Sequence, residues 1–140
     1  MSEPFSASDS WLLLSLVYAT VEKPGATLSD ILGASYLVRR SVPLRSELEG
    51  GMRRLVAAGL VQVAEREFIP SAVAREWWNE CMSIGLSATV AQAQLANRMG
   101  APALQVGPIP RDEEQWYFSE EEYEAGLAEY VAASRAGGIR

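Results

Sequence analysis

The sequence predicts a mainly α-helical protein carrying one small two-stranded β-ribbon, on three observations. A leucine pattern at helical spacing over residues 44–56 closes on Gly59. Two short runs rich in β-formers follow at residues 60–70. Hydroxyl residues with an acid three positions on, the signature of a helix start, recur along the chain. At 140 residues and 49% apolar content the chain has the size of one domain and is too apolar to stay disordered.

The first helix is expected to start near Asp9, as its cap, and to run through "SWLLLSLVYAT". Trp11, Leu12, Leu13, Leu14, Leu16, Val17 and Tyr18 cover almost its whole circumference, so it should be buried all round. Either the C-terminal half of the chain or another subunit must cover its second side. "EKPGAT" places Pro24 and Gly25 where a type II turn needs a fixed φ followed by a positive one. Thr27 and Asp30 then form a capping box for a second helix, "LSDILGASYLV", with Leu28, Ile31, Leu32, Tyr36 and Leu37 as its apolar side.

Pro43 fits the first turn of a third helix, where a missing N–H costs nothing. Leu44, Leu48, Met52, Leu55 and Val56 form its inward stripe and Gly59 its stop. Gly51 falls on the inward edge, where close packing against helix one or two would explain a glycine; Gly50 faces out beside Ser46. "LVQVAER" and "EFIP" read as strands joined near Glu65 and Arg66, with Val61, Val63 and Phe68 as apolar members and Pro70 ending the second.

Ser71 should cap a fourth helix, "AVAREWWNECMSI", and Ser87 should open a fifth that ends near Met99. "GAPALQVGPIPRDEEQWYF", with three prolines, reads as an extended connection anchored by Trp116, Tyr117 and Phe118. Ser119 and Glu122 form a second capping box. The last helix should turn Tyr123, Leu127, Tyr130 and Val131 inward and Glu120, Glu121, Glu124 and Glu129 to water, and "RAGGIR" should fray.

This order of three helices, a closing "RLVAAGLV", a two-stranded ribbon and a further helix resembles the winged helix-turn-helix superfamily over residues 9 to 83. The stretch "ELEGGMRRLVAAGLVQVAEREFIPSAVAREW" resembles the helix-three-to-wing segment of bacterial regulators of the MarR and PadR type. The resemblance implies a winged-helix domain over residues 1–85 and a C-terminal helical extension over 86–140 packed on it, one compact domain overall. It also implies helix three in the DNA major groove and a wing tip on phosphate. The contact residues it implies are Arg45, Ser46, Glu49, Gly50 and Arg53, with Arg39 and Arg40 in the preceding turn. The helix wheel sets Ser46, Gly50, Arg53 and Ala57 opposite the apolar stripe, flanked by Glu49 and Arg54.

Charge leaves two functions open. The net charge is -6, but residues 39–54 alone are net positive. That block favours a cytoplasmic, dimeric transcription regulator bound to double-stranded DNA through its arginines. The acidic wing tip, Glu65 and Glu67 around Arg66, and Glu47 and Glu49 on helix three favour the alternative, a protein–protein interaction module with an unidentified protein partner and no DNA role. Eleven arginines against one lysine suggest a GC-rich bacterial genome.

Other chemistry has little support. There is no histidine, the commonest general base and metal ligand, and the single Cys81 has no imidazole to activate it. No phosphate-loop pattern is present, so neither a cofactor nor an enzyme is expected. The acids at 112–114 and 120–124 lack calcium-loop spacing and read as solvated helix-start charge. Trp77, Trp78 and the 116–118 aromatics read as core rather than base-stacking platforms. The apolar run from Trp11 to Ala19 is too short for a membrane span and has no preceding Lys or Arg for a secretory signal.

Overall fold

Helix α1 (Asp9–Ala19) is the centre of the structure: every residue from Asp9 to Val17 is buried. It is packed by α2 (Leu28–Arg39), α3 (Arg45–Ala57), α4 (Ala72–Ser83), α5 (Ala88–Met99) and the strand β2 (Glu67–Pro70). The second side of α1 is therefore covered by α4 and α5 of the same chain, and its burial requires no other subunit. The computed structural model describes residues 8–39, 41–64, 66–83, 85, 87–99 and 119–136. The expected connection at 100–118 and the tail at 137–140 lie outside them.

The core is the set of apolar stripes that the periodicity marks. Leu12, Leu13 and Leu16 share one buried cluster with Ile31 and Leu32 of α2, Leu48, Met52 and Leu55 of α3, Phe68 of β2 and Leu95 of α5. Burying a leucine-sized side chain is worth about 1.5–3 kcal/mol, so this cluster is the main source of stability. The polar groups inside it are satisfied. Trp11 Nε1 donates to Ser35 O at 3.1 Å, and the Ser15 hydroxyl donates to Trp11 O at 2.7 Å.

Several helix ends follow their local chemistry. Thr27 and Asp30 exchange the two bonds of a capping box: Thr27 N donates to Asp30 Oδ2 and Asp30 N to Thr27 Oγ1. Ser119 and Glu122 do the same at the start of α6 (Glu120–Ala136), and Ser71 Oγ accepts from Ala74 N at the start of α4. Gly59 has φ +78°, while Gly59 N donates to Val56 O and Leu60 N to Leu55 O, the paired bonds of a Schellman stop.

Three local expectations fail. Asp9 does not cap α1; it is the first helical residue, fully buried, and its carboxylate serves a partner on α3. Pro43 precedes α3, which starts at Arg45, and Glu47 Oε1 accepts the Leu44 N–H instead. Gly25 is not in the positive-φ region. A β-carbon there would lie 3.2 Å from side-chain atoms of Glu67 and Ile69, tighter than an ordinary contact, so the close approach of β2 favours glycine.

That approach builds the sheet. Strands β1 (Val61–Ala64) and β2 pair antiparallel with Val63 opposite Phe68, and Arg66 turns between them at φ +66°. Ala26 adds an antiparallel bridge to Phe68 on the other edge, with N–H···O bonds of 2.9 and 2.8 Å. Across the molecule α6 packs on α2, where Gly33 takes Tyr130 and Gly126 takes Leu28. Tyr123 and Tyr130 pack inward and Glu120, Glu121, Glu124 and Glu129 face water, but Val131, expected inward, is exposed. No helix among the described residues is long and apolar enough to cross a membrane.

Candidate interaction surface on helix three

Helix α3 exists because Leu48, Met52 and Leu55 recur at the helical period and fall into the core. Its opposite side is what can meet another molecule. There Ser46 is exposed, and Arg45, Gly50, Arg53 and Ala57 are half-buried. Leu44, just before the helix, is exposed where the stripe would have turned it inward.

The charged candidates divide sharply. Glu49 is buried, not flanking an outer face: it is only 2% exposed, and Arg53 Nε lies 2.5 Å from its Oε2. One turn separates the two, so the helix itself brings them together. Arg54 turns toward α1, with Nε 2.6 Å from Asp9 Oδ2 and Nη2 3.0 Å from Asp9 Oδ1. A fork on a planar carboxylate is the geometry a guanidinium prefers, and Asp9 is fully enclosed, so this pair behaves as a packing element.

Of two neighbouring glycines, one makes room for this arrangement. A β-carbon at Gly51 would collide with Leu12 Cδ1 and lie 3.0 Å from Asp9 Oδ1, so Gly51 lets α3 sit against α1. At Gly50 it would meet only the tip of Arg54, 3.4 Å away. Arg39 is the last residue of α2, and Arg40 lies outside the described residues. Sequence reasoning grouped Arg39, Arg40, Arg45, Ser46, Glu49, Gly50, Arg53 and Arg54 as one contact surface; the fold sends Glu49 and Arg54 inward and ties Arg53 to Glu49.

The β1–β2 hairpin is also engaged within the chain. Arg66 at its tip forms an ion pair with Glu122 of α6. Both line a groove of about 500 Å³ together with Leu28, Val63 and Gly126. Close by, the Tyr123 hydroxyl donates to Pro43 O at 2.7 Å. Burial first, then the charges of Glu124 and Glu47, push its phenol above the usual range.

Other candidates take structural places. Cys81 is buried and Trp77 and Trp78 pack against the core, with Arg98 over the Trp77 ring at 6.0 Å. Among the described residues no group of three or more Cys, Asp or Glu side chains is placed to hold a metal ion. Asp9 was missed as a site-shaping residue, since nothing local distinguishes a cap from a carboxylate awaiting an arginine 45 residues away. No family model matches the chain, no curated protein matches it, and no solved structure matches it.

Proposed function

We propose that the chain is a protein–protein interaction module on a winged-helix-like framework, and that α3 meets a protein partner rather than a DNA groove. One observation carries this reading: Arg53 and Arg54, the two cations nearest the centre of α3, are neutralised by Glu49 and Asp9 inside the chain. A DNA-reading helix needs donors held outward to phosphates and base edges. The Ser46–Gly50 strip offers instead short side chains, with only the tip of Arg54 beside Gly50. The acidic chain and the wing-tip pair with Glu122 point the same way.

The second reading, a DNA-binding regulator, is favoured by the order of helices and ribbon and by Arg45 beside Ser46 at the start of α3. Titration of random-sequence duplex DNA at low and moderate salt separates the two. The module reading expects no salt-sensitive binding. Binding that weakens steeply with salt and is lost in Arg45→Glu would establish the regulator instead. Arg45 is the appropriate control, because changing Arg54 would also disturb the α1–α3 packing.

A further inference from the structure

Helix α1 is buried from Asp9 to Val17, yet Tyr18, one position on, is 45% exposed. Its ring meets Trp78 of α4 edge-on, with centroids 6.0 Å apart. Val21, just past the helix, and Met82, one turn beyond Trp78, are 59% and 51% exposed. Along α4, Arg75, Trp78, Asn79 and Met82 fall at the spacing that places side chains on one helix face. Arg75 bonds that face to the end of α1, donating from Nη1 to Thr20 O at 3.1 Å and from Nη2 to Pro24 O at 3.2 Å. The result is one surface of Tyr, Trp, Met and Arg, the residue types enriched where protein interfaces are most tightly packed.

Charge selects the occupant. Lys23, Arg53, Arg54, Arg66 and Arg98 each pair with a carboxylate, whereas Arg75 donates to backbone carbonyls and pairs with no carboxylate among the described residues. Glu22, beside Val21 in the chain, makes no ion pair with it. A guanidinium has five N–H donors, so Arg75 keeps its charge and has donors left for a carboxylate.

We propose that the Tyr18, Val21, Trp78 and Met82 surface docks a short acidic, aliphatic segment of another protein, with a carboxylate on Arg75 and an aliphatic side chain against Tyr18 and Trp78. This surface is independent of the α3 face. Asp9, beside Gly51 of α3, and Tyr18 stand at opposite ends of α1, so either surface can fail without the other.

The test selects a random 12-residue peptide display library on the full chain and measures fluorescein-labelled copies of the enriched peptides by anisotropy. Enriched peptides should carry Asp or Glu beside Leu, Ile or Phe. Val21→Glu and Met82→Glu, both at exposed positions, should each weaken binding by about tenfold or more with an unchanged circular dichroism spectrum. Arg75→Gln should weaken it and reduce its salt dependence. The proposal is overturned if no peptide is enriched, if the consensus is neutral or basic, or if the Glu variants bind as tightly as the wild type. Self-association in sedimentation that Val21→Glu abolishes would assign the surface to a second copy and overturn it equally.

Discussion

Arg54 and Asp9, 45 residues apart in sequence, form a two-pronged ion pair between α3 and α1, with the carboxylate fully enclosed. Removing one partner leaves the other charge inside the protein without compensation, which costs about 3–5 kcal/mol. Asp9→Ala should therefore lower the unfolding free energy measured by urea titration by an amount in that range. The paired replacement Asp9→Leu with Arg54→Met should recover most of the loss, because both desolvated charges disappear together. A loss for Asp9→Ala that matches a surface substitution would show that the pair is solvated.

The two central glycines of α3 should respond in opposite directions. Gly51→Ala places a methyl against Leu12 and Asp9, both fully buried, and should cost about 1–3 kcal/mol by overpacking. Gly50→Ala meets only the end of Arg54 and should gain up to about 1 kcal/mol from helix propensity. Thermal unfolding of the two variants side by side checks the contrast; equal effects would contradict the α1–α3 approach.

Gly59 should be the third sensitive glycine, for a backbone reason. A β-carbon there would meet nothing within 4 Å, so Gly59→Ala meets no clash, but φ +78° is strained for any residue with a β-carbon. A loss of about 1–2 kcal/mol is expected from chemical denaturation.

Acid titration should find Asp30 below the ordinary carboxylate value. Burial raises its pKa, but the hydrogen bonds from Lys23 and Thr27 together outweigh that effect and lower it. A carboxylate depressed in the folded state stabilises the protein above its unfolded pKa, and that contribution is lost as pH falls through the folded pKa. The window therefore lies below pH 3.8. Carboxyl-detected NMR should show the Asp30 midpoint rising in Lys23→Ala; an unmoved midpoint would remove Lys23 from the account.

The residues that could be read in advance are those whose reason is local. Gly59, the Thr27–Asp30 box and the Ser119–Glu122 box each complete their hydrogen bonds within a few residues, so the sequence contains the whole argument. Gly25 was legible as a glycine but not for its reason, because the atoms that would crowd a β-carbon there belong to Glu67 and Ile69. The helix wheel turned Glu49 outward because wheels rank polarity and ignore pairing; the i,i+4 arginine that makes its burial tolerable was visible in "ELEGGMRR". Tyr36 and Leu37 are the opposite case, apolar at the right spacing yet exposed, although the Tyr36 ring lies 6.5 Å from that of Tyr130 on α6. For the site, the arginine block was plain in the sequence, and its internal commitments were set by tertiary contacts.

The central claim is that the α3 arginines are held by carboxylates of their own chain, and NMR of the arginine Nε–H groups tests it most directly. Arg53 and Arg54 should show slowed Nε–H exchange, the Arg54 signal alone should collapse in Asp9→Asn, and random-sequence duplex DNA at low salt should move neither signal. Rapid exchange at both residues, or shifts of both on adding DNA, would mean that these guanidinium groups face outward and would return α3 to the DNA groove.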